Sequence, residues 1–217
     1  MELFKEKDTR NKILADAIQL FMRYGVKSVT MDDVAKELGI SKKTLYQYFQ
    51  DKDDLVQKAF EQHLENDFKK SQEVIRQNSN PIEQLLGLCK LRCLQMSKVP
   101  TATLYDLKKY HPDSWTKYSH FKSSKILPEI RANLELGIEK GYYRADVNVD
   151  LICNLYLHLI DFISMNETEK FAGSNMGEII HQIMDYHLHA ITTTKGRKYL
   201  ETQQQIHNQI TYQKNNP

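Results

Sequence analysis

The fold of this chain is decided by residues 30–49, which read TMDDVAKELGISKKTLYQYF. The opening TMDD is typical of a capped helix start, and Gly39 supplies the positive φ that a tight turn needs. Ser41 caps a second short helix, and Leu45 and Phe49 lie four residues apart on its inner side. Two short helices joined by a glycine-containing turn predict a helix-turn-helix motif.

The outer face of the second short helix carries Lys42, Lys43, Tyr46 and Gln47 as two pairs spaced i, i+4. No acidic residue occurs between positions 38 and 50. A basic, hydrogen-bonding face on a short helix suits the DNA major groove. The alternative is a helical hairpin whose polar face is only solvated. Because acidic and basic residues balance over the first 55 positions, this pattern leaves both interpretations open.

The rest of the chain also favours an all-α fold. Glycine and proline contribute only 8 and 5 of the 217 residues, which is typical of long helices with few tight turns. Apolar residues recur at helical spacing almost throughout. We predict about nine helices, at residues up to 24, 31–38, 42–49, 52–77, 81–98, 101–110, 113–140, 150–166 and 176–193. Pro128 falls inside the seventh and predicts a kink or a split there.

Three segments are predicted. Residues 1–52 are predicted to form an N-terminal three-helix domain that contains the helix-turn-helix, and residues 53–194 a C-terminal helical domain. Residues 195–217 are polar and rich in Gln and Asn, and we expect them to be frayed or disordered.

Composition excludes several classes of protein. The N-terminus MELFKEKDTR lacks the apolar segment of a signal peptide, and no run of 18 apolar residues occurs, so we expect a cytoplasmic chain without a membrane span. Cys89 and Cys93 share a helical face and could sense oxidants or bind a soft metal, although buried small hydrophobes are the favoured interpretation. His187 and His189 point apart on a helix. No catalytic pattern is found, and we expect no metal, no cofactor and no enzyme activity.

Residues from about 8 to 66 resemble the N-terminal domain of TetR/AcrR-family transcriptional regulators. The matching features are Phe21 with Gly25, Val29-Thr30-Met31, Val34-Ala35, Leu38-Gly39-Ile40, Ser41 to Phe49, and Asp51-Lys52-Asp53-Asp54-Leu55.

The resemblance implies a set of DNA-contacting residues. Thr30 would bond a phosphate at the start of the second helix, and Lys52 would hold one at the start of the fourth. Free N–H groups, the helix dipole and a cation coincide at Lys52, which supports that role independently. The remaining expected contacts belong to the recognition helix: Ser41, Lys42, Lys43, Thr44, Tyr46, Gln47 and Tyr48.

The resemblance also implies that residues 1–52 are the DNA-binding domain and that residues 53–194 bind an effector and dimerise. We hypothesise that aromatic residues of the middle segment line an apolar pocket together with a histidine: Tyr105, Trp115, Tyr118, Phe121, His158 and Phe162. The last two long helices would pair two chains, since a two-fold palindromic operator in double-stranded DNA needs two reading heads.

The predicted function is therefore a ligand-responsive, sequence-specific DNA-binding regulator, most simply a homodimeric repressor that a small-molecule effector releases from its operator. An activator remains open. The alternatives are a helical small-molecule carrier or enzyme that has kept the fold, a protein-binding adaptor, and a nucleoid-occlusion or division factor of the same family.

Overall fold

The computed structural model describes residues 2–96, 103–165 and 176–203, and these form helices without a β-strand. The helices are α1 (Glu2–Tyr24), α2 (Met31–Glu37), α3 (Lys42–Tyr48), α4 (Lys52–Gln77), α5 (Pro81–Met96), α6 (Thr103–Tyr110), α7 (Pro112–Phe121), α8 (Leu127–Glu139), α9 (Val149–Met165), α10 (Met176–Ile191) and α11 (194–203). The all-α prediction is confirmed. None of the described helices has the length and apolar character that crossing a bilayer demands.

A first group of buried side chains, the head cluster, lies among α1, α2, α3 and the first half of α4. Its members are buried apolar residues: Ile13, Leu14, Ala17, Ile18, Leu20, Phe21, Val26, Val29, Met31, Val34, Ala35, Leu45, Phe49, Leu55, Val56, Ala59, Phe60 and Leu107. Leu107 belongs to α6 and is fully buried. The head therefore contains a side chain from far outside the helix-turn-helix segment.

A second group, the body cluster, lies among α5, α8, α9, α10 and α11. It consists of Ile82, Leu85, Leu134, Tyr143, Cys153, Leu188, Ile191 and Leu200. A hydrogen-bonded network lies beside it, in which Asn133 donates to the Pro81 carbonyl and to Gln84 Oε1, both at 2.9 Å, while the Tyr143 hydroxyl donates to Asn133 Oδ1 at 3.2 Å. These bonds satisfy polar groups that would otherwise be costly to bury.

Helix α4 runs through both parts of the molecule. Its residues Leu55 to Phe60 contribute to the head cluster, and its second half packs closely against α5. At that contact a Cβ on Gly87 would come within 2.7 Å of Val74 Cγ1. The predicted division at residues 52–53 stays a prediction, and the head cluster uses α4 residues beyond it.

Helices α7 and α8 are joined by a π-helical turn at Lys122–Ile126 rather than by a break. The Leu127 N–H donates to the Lys122 carbonyl, five residues earlier. Pro128 follows at once and has no N–H to donate, so the wider turn lets the helix continue past it. The predicted irregularity at Pro128 is present in this form.

The prediction of a frayed or disordered tail from residue 195 is wrong for its first part. Residues 194–203 are helical, Leu200 is buried in the body cluster, and Tyr199 packs against that cluster. The Tyr199 and Tyr142 rings meet edge to face at 5.5 Å, and the Tyr199 hydroxyl bonds Glu83. Residues 204–217 lie outside the described residues.

Candidate nucleic-acid interface

Helix α3 presents a polar face to solvent because its two apolar anchors are buried. Ser41 caps the helix by accepting a hydrogen bond from the Thr44 N–H at 3.0 Å. Leu45 and Phe49 are buried in the head cluster. On the opposite side Ser41, Lys42, Lys43, Tyr46 and Gln47 are exposed, with Tyr46 45% exposed. The structure thus brings five of the predicted recognition residues onto one accessible face.

Thr44 and Tyr48, the other predicted residues of α3, are half-buried. The Tyr48 ring packs beside the head cluster, 6.5 Å from the Phe49 ring. The Thr44 hydroxyl lies 2.8 Å from Ser41 Oγ, so it supports the helix cap. These two residues flank the exposed face of α3.

Thr30 begins α2 through a reciprocal capping box with Asp33. Thr30 Oγ1 accepts from the Asp33 N–H at 3.2 Å and donates to Asp33 Oδ2 at 2.6 Å, and the Thr30 N–H donates to the same oxygen at 2.8 Å. These hydrogen bonds from Thr30 lower the pKa of Asp33. A phosphate at Thr30 would therefore compete with the Asp33 carboxylate for the hydroxyl proton.

Two lysines of α3 differ in their surroundings. Lys42 Nζ lies 2.9 Å from Asp32 of α2, and this hydrogen bond and ion pair raise the pKa of Lys42. Both side chains are largely exposed, so the pair is weak and a phosphate can displace Asp32. Lys43 is exposed and forms no ion pair with any described residue. The Lys43 ammonium group could therefore bind a phosphate without first breaking an ion pair.

Lys52 is the first residue of α4 and reaches back toward the end of α1. Its Nζ donates to the Lys27 carbonyl at 3.3 Å, and partial burial lowers its pKa. Asp51 caps α4 by accepting from the Asp54 N–H at 2.8 Å. Since Asp53 and Asp54 also lie in the first turn, the helix end already carries carboxylates. A phosphate would approach Lys52 from the side that faces Lys27.

Helix α6 docks on this part of the head. Leu107 fills the head cluster, and Lys27 Nζ lies 5.2 Å from the centre of the Tyr110 ring. His111 Nδ1 lies 2.9 Å from Asp53 Oδ1 of α4, although the approach is off the ring N–H direction and is an ion pair only when the ring is protonated. Burial lowers the pKa of His111, and Asp53 partly opposes this shift.

Lys27 is a basic residue beside the candidate interface that the sequence did not indicate. Lys27 is exposed in the loop between α1 and α2, and its carbonyl binds Lys52. The one signal in the sequence was the position of Lys27 in a short loop beside Val29 and Thr30. Its partner Lys52 lies 25 positions away, so no local pattern connects the two residues.

The predicted effector-pocket residues do not all come together. Trp115 and Tyr118 of α7 have ring centres 5.3 Å apart, and Phe121 packs edge to face on Phe68 of α4 at 5.8 Å. Tyr118 and Phe121 line a cavity of about 350 Å³ between α1, α4 and α7. The side chains of the two other predicted aromatic residues, Tyr105 and Phe162, lie outside the described residues.

His158 does not lie with that group. Its side chain is exposed on α9, three and seven residues after the exposed Leu155 and Leu151. Helical spacing places His158 on the outer face of α9, and its role in a pocket with Trp115 stays a prediction.

The cysteines and the histidine pair have ordinary roles. Cys89 is buried, and burial, then the neighbouring Cys93, raises the pKa of its thiol to about 12. The Cys93 thiol donates to the Gly177 carbonyl at 3.3 Å. His187 is buried against the Tyr156 ring while His189 is exposed. Among the described residues no group of three His, Cys, Asp or Glu side chains is placed to hold a metal ion.

Comparison with known proteins identifies the head. The family model described as "Bacterial regulatory proteins, tetR family" matches residues 13–59, which include α2, α3 and the start of α4. An HTH-type transcriptional regulator of Bacillus subtilis, YvaF, is 29% identical over 183 residues, covering 83% of this chain and 94% of the relative. Residues 13–59 are therefore a TetR-family domain, and the chain is similar to HTH-type transcriptional regulators over most of its length. It is a DNA-binding transcriptional regulator.

Two further likenesses extend beyond the head. The HTH-type transcriptional repressor KstR2 of Mycobacterium tuberculosis is 25% identical over 150 residues, covering 66% of this chain and 73% of the relative. A TetR transcription regulator from Haloarcula marismortui has the same fold, with a TM-score of 0.73 at 18% identity, covering 86% of this chain and all of that one (100%). These relatives are named as regulators, not as enzymes.

Proposed function

We propose that this TetR-family regulator is a homodimeric repressor that binds a palindromic operator through α3 and leaves it when a small molecule binds. The exposed basic face of α3 carries the proposal, because Lys43 has no internal ion pair in the described structure and Tyr46 and Gln47 stand beside it. The expected phosphate contacts are Thr30 and Lys52. The name of KstR2, a repressor, supports this sign of regulation.

An exposed apolar face supports the dimer. Leu151 and Leu155 of α9 are 64% and 49% exposed, and Tyr186 of α10 is 77% exposed. Large exposed apolar side chains are costly to leave in water, and where they form a patch they are typical of an interface. Both helices belong to the body, so pairing there leaves the two heads free. A two-fold dimer then presents two copies of α3 to successive major grooves roughly 34 Å apart.

The cavity between α1, α4 and α7 supports a ligand response. Its wall includes Leu14 and Phe60 of the head cluster, and Tyr118 and Phe121 of α7, which we count with the body because its π-helical turn leads directly into α8. A ligand that bound there would touch both parts and would favour one arrangement of head and body over another. A coupling free energy of about 1–3 kcal/mol would weaken operator binding about 5- to 150-fold. The proposed repressor would work in the cytoplasm.

The decisive experiment is selection of bound sequences from a random pool of DNA duplexes at physiological salt. Wild type should enrich a two-fold symmetric site, and the double variant Lys43→Ala/Tyr46→Ala should lose it. Leu94→Ala, an exposed change on α5, is the control and should leave the site unchanged. Weak, sequence-blind and salt-sensitive binding by wild type and variant alike would refute operator recognition by α3 and favour a carrier with the same fold.

A further inference from the structure

A buried cation lies at the junction of α7 and α8. Lys122, the first residue of the π-helical turn, has only 7% of its side chain exposed, and its Nζ pairs with Asp161 of α9. The same Nζ lies 4.9 Å from the centre of the Tyr118 ring and 5.7 Å from that of the Trp115 ring. An ammonium, a carboxylate and two aromatic rings are therefore gathered inside the body.

The turn itself is notable because π-helical insertions cost hydrogen-bond quality and are frequent at functional sites. Burial of an ammonium is also costly, and its pairing with a carboxylate rarely exceeds that cost. Pro128 explains why the turn is widened, but it does not explain why the side chain of Lys122 in this turn is buried. The neighbouring Lys125 of the same turn is exposed, so a lysine here can face water.

We propose that Lys122 binds the anionic group of an amphipathic small molecule, with Trp115 and Tyr118 against the apolar part of that molecule and Asp161 displaced into solvent. The inference rests on the ligand response proposed above and names the chemical class of the ligand, a monoanion such as an organic carboxylate.

The exposure of the two ionic partners decides the sign of the ligand charge. Asp161 is the more exposed partner, at 21% against 7% for Lys122. An incoming anion can replace Asp161, whose carboxylate then turns into water. An incoming cation would instead have to expel the buried Lys122 ammonium from its place beside the two rings, so it is the disfavoured ligand.

Tyr118 connects this group to the cavity beside the head. Its ring contacts the Lys122 ammonium and also lines the cavity between α1, α4 and α7. An anion that replaces Asp161 beside Lys122 changes the groups that surround the Tyr118 ring. The position of one aromatic side chain thus depends on the occupant of Lys122 and contributes to the wall that head and body share.

The test uses the full chain and its one tryptophan, Trp115, as the reporter. Three probes with the same alkyl chain, octanoate, 1-octanol and octyltrimethylammonium, are titrated below their micelle concentrations while Trp115 emission is recorded. Octanoate should bind saturably and more tightly than the other two probes. The Lys122→Met variant should bind octanoate about tenfold more weakly or worse, since a hydrogen bond to a charged group contributes about that factor.

Two further variants keep the test decisive. Asp161→Asn removes the internal competitor and should tighten octanoate binding, which gives a readout even where Lys122→Met does not fold. Lys125→Met, in the same turn, should leave binding unchanged. Equal octanoate binding by wild type and Lys122→Met, preference for octyltrimethylammonium, or binding of none of the three probes would each overturn the proposal.

Operator release is measured separately with the DNA from the selection experiment. Octanoate binding at Lys122 without release of DNA would refute the ligand response and leave the anion site standing. Release by another molecule that is undiminished in Lys122→Met would refute the site and leave the ligand response standing.

Discussion

The replacement Leu107→Ala tests whether α6 is part of the head. Leu107 is fully buried in the head cluster, 58 residues beyond the end of the helix-turn-helix motif. Truncation of a buried leucine removes apolar contacts and leaves a cavity, and costs roughly 2–5 kcal/mol in the free energy of unfolding. We expect about 3 kcal/mol, because neighbours from α1 and α4 are themselves fully buried and have little freedom to close the gap.

Urea unfolding followed by circular dichroism measures this cost. With a urea m value of about 2–3 kcal/mol/M, a loss of 3 kcal/mol lowers the unfolding midpoint by about 1–1.5 M. Affinity for the selected DNA should fall as well, since α6 also holds the loop after α1 and the start of α4. The control is Leu94→Ala, an exposed leucine whose loss should change the free energy of unfolding by no more than about 0.5 kcal/mol. A Leu107→Ala cost equal to that of the control would show that α6 does not pack on the head in solution.

Four further variants each change a single side chain. Lys43→Ala should lower the slope of log affinity for DNA against log salt concentration by about 0.9 per lost phosphate contact. Asp32→Asn should tighten DNA binding because it frees Lys42 from its ion pair. Affinity titrations over a salt series measure both effects. Burial lowers the pKa of His187 to about 4, so as the pH falls the unfolded chain takes up a proton at this residue before the folded one does. The free energy of unfolding therefore decreases as the pH drops from about 6.5 to about 4, by about 3 kcal/mol in all. Urea unfolding of His187→Gln should lack that part of the loss. Leu151→Asp should convert the dimer to a monomer in sedimentation velocity.

Each of these has an opposite outcome that counts against it. An unchanged salt slope for Lys43→Ala would remove Lys43 from the DNA interface. Equal losses of stability between pH 7 and pH 5 in His187→Gln and wild type would show that His187 does not titrate as its burial dictates. A Leu151→Asp protein that sediments as wild type would place any dimer contact elsewhere.

The helices of this chain could be predicted because their signals are local. The Thr30 capping box, the positive φ of Gly39 and the Ser41 cap each depend on residues within four positions, and all three are present. The burial of Leu45 and Phe49 follows from their spacing alone. The other side of α3, opposite these two buried residues, is then its accessible face.

The errors concern contacts between distant parts of the chain. Residues 194–203 look like a tail because most are polar, and Leu200 and Tyr199 become informative only where the body cluster receives them. The apolar stripe on α9 does not reveal which side of that helix faces the body, so the exposure of His158 could not be predicted. Asp32 pairs with Lys42 across ten positions, and no local pattern announces that partner.

Helix α4 has a mechanical consequence. Its 26 residues contain neither glycine nor proline, so nothing in its sequence promotes bending, and at 1.5 Å per residue it is about 39 Å long. A tilt of about 6° at its body end would carry its other end through about 4 Å. In a two-fold dimer both heads move, and their separation changes by up to about 8 Å, nearly a quarter of the roughly 34 Å repeat of DNA. In the proposed dimer, a straight helix of this length would convert a rearrangement of one or two side chains at its body end into a mismatch between the spacing of the two α3 helices and that of the DNA grooves.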